Sequence, residues 1–237
     1  MRPALLSVLI VVAVSGPAMA GDGDAGMARV IASCPGAAKV ILEGHPDVAS
    51  LEAAKAAEHK GQDATAMPPG LPSLRDELLQ MAKDDQAVRL GDLSANDVRA
   101  RMSAVDARNL PRIKQIVDEH GFPDEAMVGR DGFNAAWLLV QHADADPAFQ
   151  EKVLASLVAS KQMGGEQLAL LTDRVLRAQG KPQRYGSQFT EEGGHWAPQP
   201  IEEPVAEVDE RRASLGMMPL ADYACTIQAM YATHAAD

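Results

Sequence analysis

The stretch from Phe133 to Gln150, FNAAWLLVQHADADPAFQ, constrains the fold more than any other part of this sequence. Its apolar residues recur at the i, i+3, i+4, i+7 spacing of a helix that buries one side: Phe133, Ala136, Trp137, Val140 and Ala143. Asp146 then offers a capping carboxylate directly before Pro147, which favours the start of a second helix. The sequence therefore predicts a helical hairpin with His142, Asp144 and Asp146 at its bend.

The rest of the chain predicts a mostly α fold: a single helical domain of about seven to nine helices with a small β-hairpin. Ser73 is placed to cap a helix that ends near Arg89. One or two helices follow over 92–108, and Asn109-Leu-Pro111 is expected to start another. Two expected strands, 183–189 and 195–199, flank a Glu-Glu-Gly-Gly turn, and Gln183, Tyr185 and Ser187 would share one face of the first.

The first twenty residues have the pattern of a secretory signal peptide, with Arg2, an apolar run and the small-x-small end Ala18-Met19-Ala20. No later run is apolar enough for a membrane span. We therefore expect an exported protein, periplasmic or secreted, with three segments. They are the signal peptide (1–20), an N-terminal helical extension and linker (21–72), and a main helical domain (73–237).

The chain carries 33 acidic and 22 basic residues, a net charge of -11. Such an acidic protein is not expected to bind nucleic acid. Its two cysteines, Cys34 and Cys225, lie near opposite ends of the exported chain. In an oxidising compartment this placement favours a disulfide over a catalytic thiol.

Six ordered stretches resemble a known family: LRDELLQMAKDDQ (74–86), HGFP (120–123), AWLLVQHADADPAFQ (136–150), LLTDRV (170–175), QRYGSQ (183–188) and VDERRASLGMMPL (208–220). Together they are similar to an uncharacterised bacterial family, domain-of-unknown-function family 6624. The resemblance covers about Leu74 to Tyr223 and implies no established activity, so any function has to be inferred from the residues.

His142 is the first candidate for chemistry, because an imidazole beside a buried face can act as a general base near neutral pH. The alternative is a structural histidine bonded to a backbone carbonyl at a helix end. His142, Asp144 and Asp146 could also be metal ligands. However, Asp146 is most simply a helix cap, and no second ligand cluster follows. We therefore expect neither a metal nor a cofactor.

Arg174 could form two parallel hydrogen bonds with a carboxylate or phosphate of a ligand. Tyr185 could assist Arg174 or serve as a core aromatic residue. We predict that His142, Arg174, Tyr185 and Gln188 converge on one partly exposed pocket. Asp173 has a structural alternative, a surface ion pair with Arg177 one turn on. The further candidate ligand-binding residues are His120, Gln141, Asp146, Gln150 and Asp173.

Two functions remain open on the sequence alone. The first is an exported ligand-binding or interaction module whose partner is a small molecule or a protein. The alternative is a metal-independent hydrolase or transferase with His142 as general base, Arg174 and Tyr185 assisting it. Convergence of the four side chains would favour the enzyme, whereas separate capping roles would favour the binding module. The oligomeric state is left open.

Overall fold

The computed structural model describes residues 22–43, 45, 49–51, 53–54, 68–89, 97–161 and 163–231. The predicted signal peptide and part of the predicted linker lie outside these residues. The chain forms two compact units. Among the described residues, those from 65 to 171 make one, called here the helical unit, and those before 65 together with those after 171 make the other, called the hairpin unit. The predicted segment boundaries at residues 20 and 72 stay predictions.

The fold is mostly α with one small two-stranded sheet, which confirms the predicted class. In chain order, the elements bounded within the described residues are α1 (Asp22–Ser33), α2 (Pro35–Ile41), α3 (Pro72–Arg89), α4 (Val98–His120), α5 (Glu125–Gln141), α6 (Pro147–Ser160), α7 (Gly165–Ala178), β1 (Phe189–Glu192), β2 (His195–Pro198), α8 (Val205–Ser214) and α9 (Leu220–Tyr231). Residues 49–51 and 53–54 are helical as well.

The helical hairpin predicted from the central stretch is formed by α5 and α6. His142 caps the C-terminal end of α5, and Asp146 caps α6 by accepting a hydrogen bond from the Phe149 N–H at 3.1 Å. The first helix begins earlier than predicted, because Asp124 caps it at Met127 N–H. Gly129 has a φ of 71°, which interrupts the helical backbone conformation, and a loop was therefore predicted where the first turn of α5 lies.

Helices α3 and α4 pack in the same unit. Two helix boundaries predicted here, a cap at Ser73 and a helix start at 109–111, were wrong. Ser73 lies inside α3, which starts at Pro72, so it is not the cap. Helix α4 runs through Pro111 without ending there. Burial of Val105 on one side of the proline and Ile113 on the other explains this, since a continuous apolar face offsets the lost backbone hydrogen bond.

In the hairpin unit, β1 and β2 pair antiparallel, from Phe189 opposite Pro198 to Glu192 opposite His195. Gly193 and Gly194 make the turn at positive φ, as predicted from the Glu-Glu-Gly-Gly sequence. The prediction was wrong for 183–188, which form a loop rather than a strand with alternating faces. The sheet packs on a hydrophobic core that contains these buried residues: Phe189, Val208, Leu220, Tyr223 and Ile227.

Helices α1 and α2 pack against α9 in the same unit. The predicted disulfide is present: Cys34 and Cys225 are joined, with Cα atoms 5.8 Å apart. Arg29 also donates to the backbone carbonyls of Ala229 and Met230 near the end of α9. Among the described residues, no helix combines the length and apolarity needed to cross a membrane.

Candidate functional site

His142 lies at the C-terminal end of α5 and is nearly fully buried. Its Nδ1 is 2.7 Å from Oδ2 of Asp85, a fully buried carboxylate on α3. A carboxylate accepts from an imidazole N–H, so Nδ1 carries the proton in this contact and the ring orientation is fixed. The structural alternative predicted for His142 was a backbone carbonyl, and the described Nδ1 contact is with a side chain instead.

Two further charged side chains extend the pair towards the surface. Arg89 donates from Nη1 to Asp85 Oδ1 at 2.8 Å and from Nη2 to Asp106 Oδ1, on α4, at 2.5 Å. We call these four residues, Asp85, His142, Arg89 and Asp106, the polar network. Side-chain exposure rises along it, from 0% for Asp85 and 4% for His142 to 12% for Arg89 and 31% for Asp106. The network thus connects the core of the helical unit with solvent.

The outermost carboxylate is held in an unfavourable setting for its charge. Burial raises the pKa of Asp106 above its ordinary value of 3.8, and the hydrogen bond and charge of Arg89 oppose that rise. An open cavity of about 640 Å³ in the same unit follows the exposed side of α4. None of the residues that line it belongs to the polar network.

Several predicted ligand-binding residues instead build the bend between α5 and α6. Gln150 is buried and donates to the carbonyls of Val140 and Gln141 at 3.0 and 3.1 Å. Asp146 caps α6 and pairs with Lys114, whose hydrogen bond lowers the pKa of that carboxyl. Among the described residues, no three His, Cys, Asp or Glu side chains are placed to hold a metal ion.

Asp173 has a structural role in the hairpin unit that the sequence did not predict. It is fully buried, so it is not half of a surface pair with Arg177, which donates to Gln199 Oε1 instead. Its carboxylate accepts three backbone N–H groups of the 183–188 loop: Arg184 at 2.7 Å, Tyr185 at 3.0 Å and Ser187 at 2.8 Å. Burial raises the pKa of Asp173, although these bonds favour its charged form.

The same loop is held from two other directions. Gln183 donates to the carbonyls of Gln188 and Gln199 and accepts from the Gln188 N–H at 2.6 Å. Arg212, on α8, donates to the Tyr185 carbonyl at 2.6 Å. The backbone of the QRYGSQ motif is therefore bonded to three buried side chains, which gives this motif a structural function.

The four residues predicted to share a pocket fall in both units. His142 belongs to the helical unit, whereas Arg174, Tyr185 and Gln188 belong to the hairpin unit. Arg174 and Gln188 are buried and Tyr185 is half-buried. Their convergence with His142 stays a prediction. His120 ends α4 beside Glu119, with 3.8 Å between Nε2 and Oε2.

Asp85, Arg89 and Asp106 were missed by sequence reasoning. The sequence did contain a signal for Asp85, because this residue continues the apolar stripe of Leu74, Leu78 and Met81 at helical spacing. A carboxylate on a buried stripe requires a partner. Arg89 lies at i+4 from it, which is a favourable spacing for an ion pair on a helix.

Residues 72–235 match a family whose description is "Family of unknown function (DUF6624)". The match begins at the residue where we expected the linker to end, and it contains all six stretches that carry the resemblance. No curated protein and no solved structure matches the chain.

Proposed function

Because the chain belongs to the family of unknown function DUF6624, which carries no assigned activity, we propose a function from its own residues. The protein is an exported ligand-binding protein, and its binding site is the solvent-facing end of the polar network. The observation that carries this proposal is the chain of ion pairs from Asp85 through Arg89 to Asp106.

The energetics of the polar network support a role beyond folding. Removing two charges from water costs several kcal/mol per ion, and apolar residues of the same volume often stabilise a protein as well or better. Asp85 nevertheless lies on the buried face of α3, whose other buried residues are Leu74 and Leu78. Such a network fits a site that recognises a polar ligand.

Other polar residues of the motifs have structural roles. Gln150, Asp173 and Gln183 use their side chains to hold the backbone of their own units. They leave the polar network as the candidate ligand site.

Export is part of the same proposal. The Cys34–Cys225 disulfide supports it, because such bonds persist in oxidising compartments and are rare in the cytosol. The signal-peptide pattern of residues 1–20 points the same way.

A second candidate function is a metal-independent hydrolase or transferase. It is favoured by the 2.7 Å contact between His142 Nδ1 and Asp85, since a carboxylate at Nδ1 orients the ring and makes Nε2 the basic nitrogen. Asp85 would act as a positioning residue and His142 as the base. In this candidate Arg89, which is bonded to the same carboxylate as His142, takes the assisting role that was predicted for Arg174.

One experiment separates the two functions. The exported chain is titrated with pools of small polar metabolites while backbone amide resonances are followed by NMR. We expect a binder to shift the amides of Arg89, Asp106 and His142, and Arg89→Gln to abolish the effect. Arg108→Gln is the matched control, because Arg108 pairs with Asp84 between the same two helices at the exposed surface.

The binder is then incubated with the protein to look for a product. Conversion that is lost in His142→Gln, with binding retained, would assign the enzyme. A stable complex without product would assign the binding protein. Shifts that persist in Arg89→Gln, or that are lost equally in Arg108→Gln, would contradict a site at the polar network.

A further inference from the structure

The outer end of the polar network has the form of an anion site that is occupied by a residue of the chain itself. We propose that Arg89 recognises an oxyanion of the ligand, a carboxylate or a phosphate, and that the Asp106 carboxylate is the internal group this oxyanion displaces. The inference rests on the proposed binding function and names its ligand class.

The guanidinium of Arg89 is held in place independently of Asp106. Its Nη1 donates to Asp85 Oδ1 at 2.8 Å, and Asp85 is fully buried and also bonded to His142. The group is therefore anchored from the protein interior. A pre-oriented guanidinium loses little conformational entropy when it binds a ligand, which favours affinity.

The opposite edge of the guanidinium points to the half-exposed part of the network. Arg89 Nη2 donates to Asp106 Oδ1, and the Asp106 side chain is 31% exposed, compared with 12% for Arg89. A planar guanidinium matches the geometry of carboxylates and phosphates, because two N–H groups can meet two oxygens. Asp106 shows that a carboxylate fits at this edge.

Asp106 is the member of the polar network that an external anion can most easily replace. Its side chain is the most exposed of the four, at 31%, and burial still raises its pKa in spite of the hydrogen bond and charge of Arg89. The place that Asp106 occupies suits one external anion. Removing the Asp106 carboxylate leaves Arg89 Nη2 without the oxygen to which it donates, and one external carboxylate or phosphate can supply that oxygen.

The variant Asp106→Asn tests the inference, since it removes the internal anion and keeps the side-chain volume. The fold should tolerate it. Because the pKa of Asp106 is raised in the folded protein, the protonated side chain stabilises the fold. This stabilisation is fully present below pH 3.8 and is lost as the pH rises through the folded-state pKa. Asparagine is neutral at every pH and so imitates the protonated side chain. We therefore expect the variant to melt no lower than the wild type.

Inorganic phosphate and acetate are the probes, each titrated into the exported chain at low ionic strength while the Arg89 amide and guanidinium resonances are followed by NMR. In Asp106→Asn we expect the Kd for at least one probe to fall by about tenfold or more, because a charge-assisted hydrogen bond becomes available. The probe with the larger gain distinguishes a phosphate ligand from a carboxylate ligand. Adding Arg89→Gln to the variant should remove the gain.

Asp84→Asn is the matched control, because it removes an equal charge from the exposed Asp84–Arg108 pair of the same helices. An equal gain in that control, or no gain in Asp106→Asn, overturns the anion site. A neutral metabolite could shift the Arg89 resonances of the wild type while Asp106→Asn gains no affinity for phosphate or acetate. That result would retain the proposed binding function and contradict an anionic ligand. If Asp106→Asn gains affinity for phosphate or acetate but no metabolite binds the wild type, the anion site is supported and the proposed binding of small molecules is contradicted.

Discussion

Asp173 accepts three backbone N–H groups, from Arg184, Tyr185 and Ser187, and so supports the 183–188 loop from within. In Asp173→Ala these donors lose their partner in a buried place, at a cost of about 1–3 kcal/mol for each group that water cannot reach. We expect a loss of about 2–4 kcal/mol in the free energy of unfolding, measured by urea denaturation.

Glu191→Ala is the control for this residue-scale prediction. Glu191 also accepts one backbone N–H, that of Gly194, but at the solvent-exposed tip of the sheet. Water can replace it, so we expect a loss below about 0.5 kcal/mol. Similar losses in the two variants would show that the Asp173 carboxylate is not the support of the loop.

At the scale of residues, the sequence predicted where His142 lies but not what it contacts. The bend follows from local signals, namely a helical stripe and an Asp-Pro cap. Asp85 is 57 positions away from His142, and the spacing of residues along one helix contains no information about which helix packs beside it. The polar network could therefore be suspected from a carboxylate on a buried stripe, but its members could not be paired.

Gly186 determines the shape of the 183–188 loop as an element. Its φ is 66°, and a Cβ added there would lie 2.7 Å from Leu220 Cδ1 and 3.2 Å from Cδ2. Gly186→Ala therefore incurs both backbone strain and a steric clash with α9. We expect it to destabilise the protein by about 2–4 kcal/mol, measured as a shift in the chemical-denaturation midpoint.

Gly216→Ala separates these two contributions. Gly216 has a similar φ of 71°, but nothing lies within 4 Å of an added Cβ. We expect about 1–2 kcal/mol from backbone strain alone. If the two variants lose equal stability, close packing against Leu220 is not what requires glycine at 186.

The elements show where periodicity succeeds and where it fails. The apolar stripe from Phe133 to Ala143 predicted α5, because a helix must bury one side wherever it packs. The sequence predicts a strand at 183–189 because it lacks a helical period there and a Glu-Glu-Gly-Gly turn follows. In the structure, the two ends of the 183–188 loop bond to the backbone of residues 199–202, whereas the backbone between them bonds to side chains of α7 and α8. The lack of a helical period does not distinguish such a loop from a strand.

For the whole molecule, export and the Cys34–Cys225 disulfide give one joint prediction. Protein recovered from the exported fraction should start at Gly21 and weigh two hydrogens less than the reduced chain, as intact mass spectrometry would show. Reduction should lower the free energy of unfolding by up to about 5 kcal/mol, because the bond closes a loop with a sequence separation of 191 residues.

Cys34→Ser and Cys225→Ser provide the control, since each should reproduce the stability of the reduced protein. An intact mass that includes residues 1–20, or two free thiols in the non-reduced exported protein, would contradict export into an oxidising compartment. Stability that is unchanged on reduction would mean that the packing of α1 and α2 on α9 suffices to hold the unit.

The division into two units has a consequence for how the protein is made. The helical unit is one continuous stretch, 65–171, whereas the hairpin unit draws on residues before and after it. A ribosome synthesises the chain from its N-terminus, so the helical unit can reach its final form while Cys225 has yet to be synthesised. Helices α1 and α2 can pack on α9, and Cys34 can bond to Cys225, only after α9 has been synthesised. The Cys34–Cys225 bond therefore closes late in the making of the chain, and oxidation can act on this pair only after both ends of the hairpin unit are present.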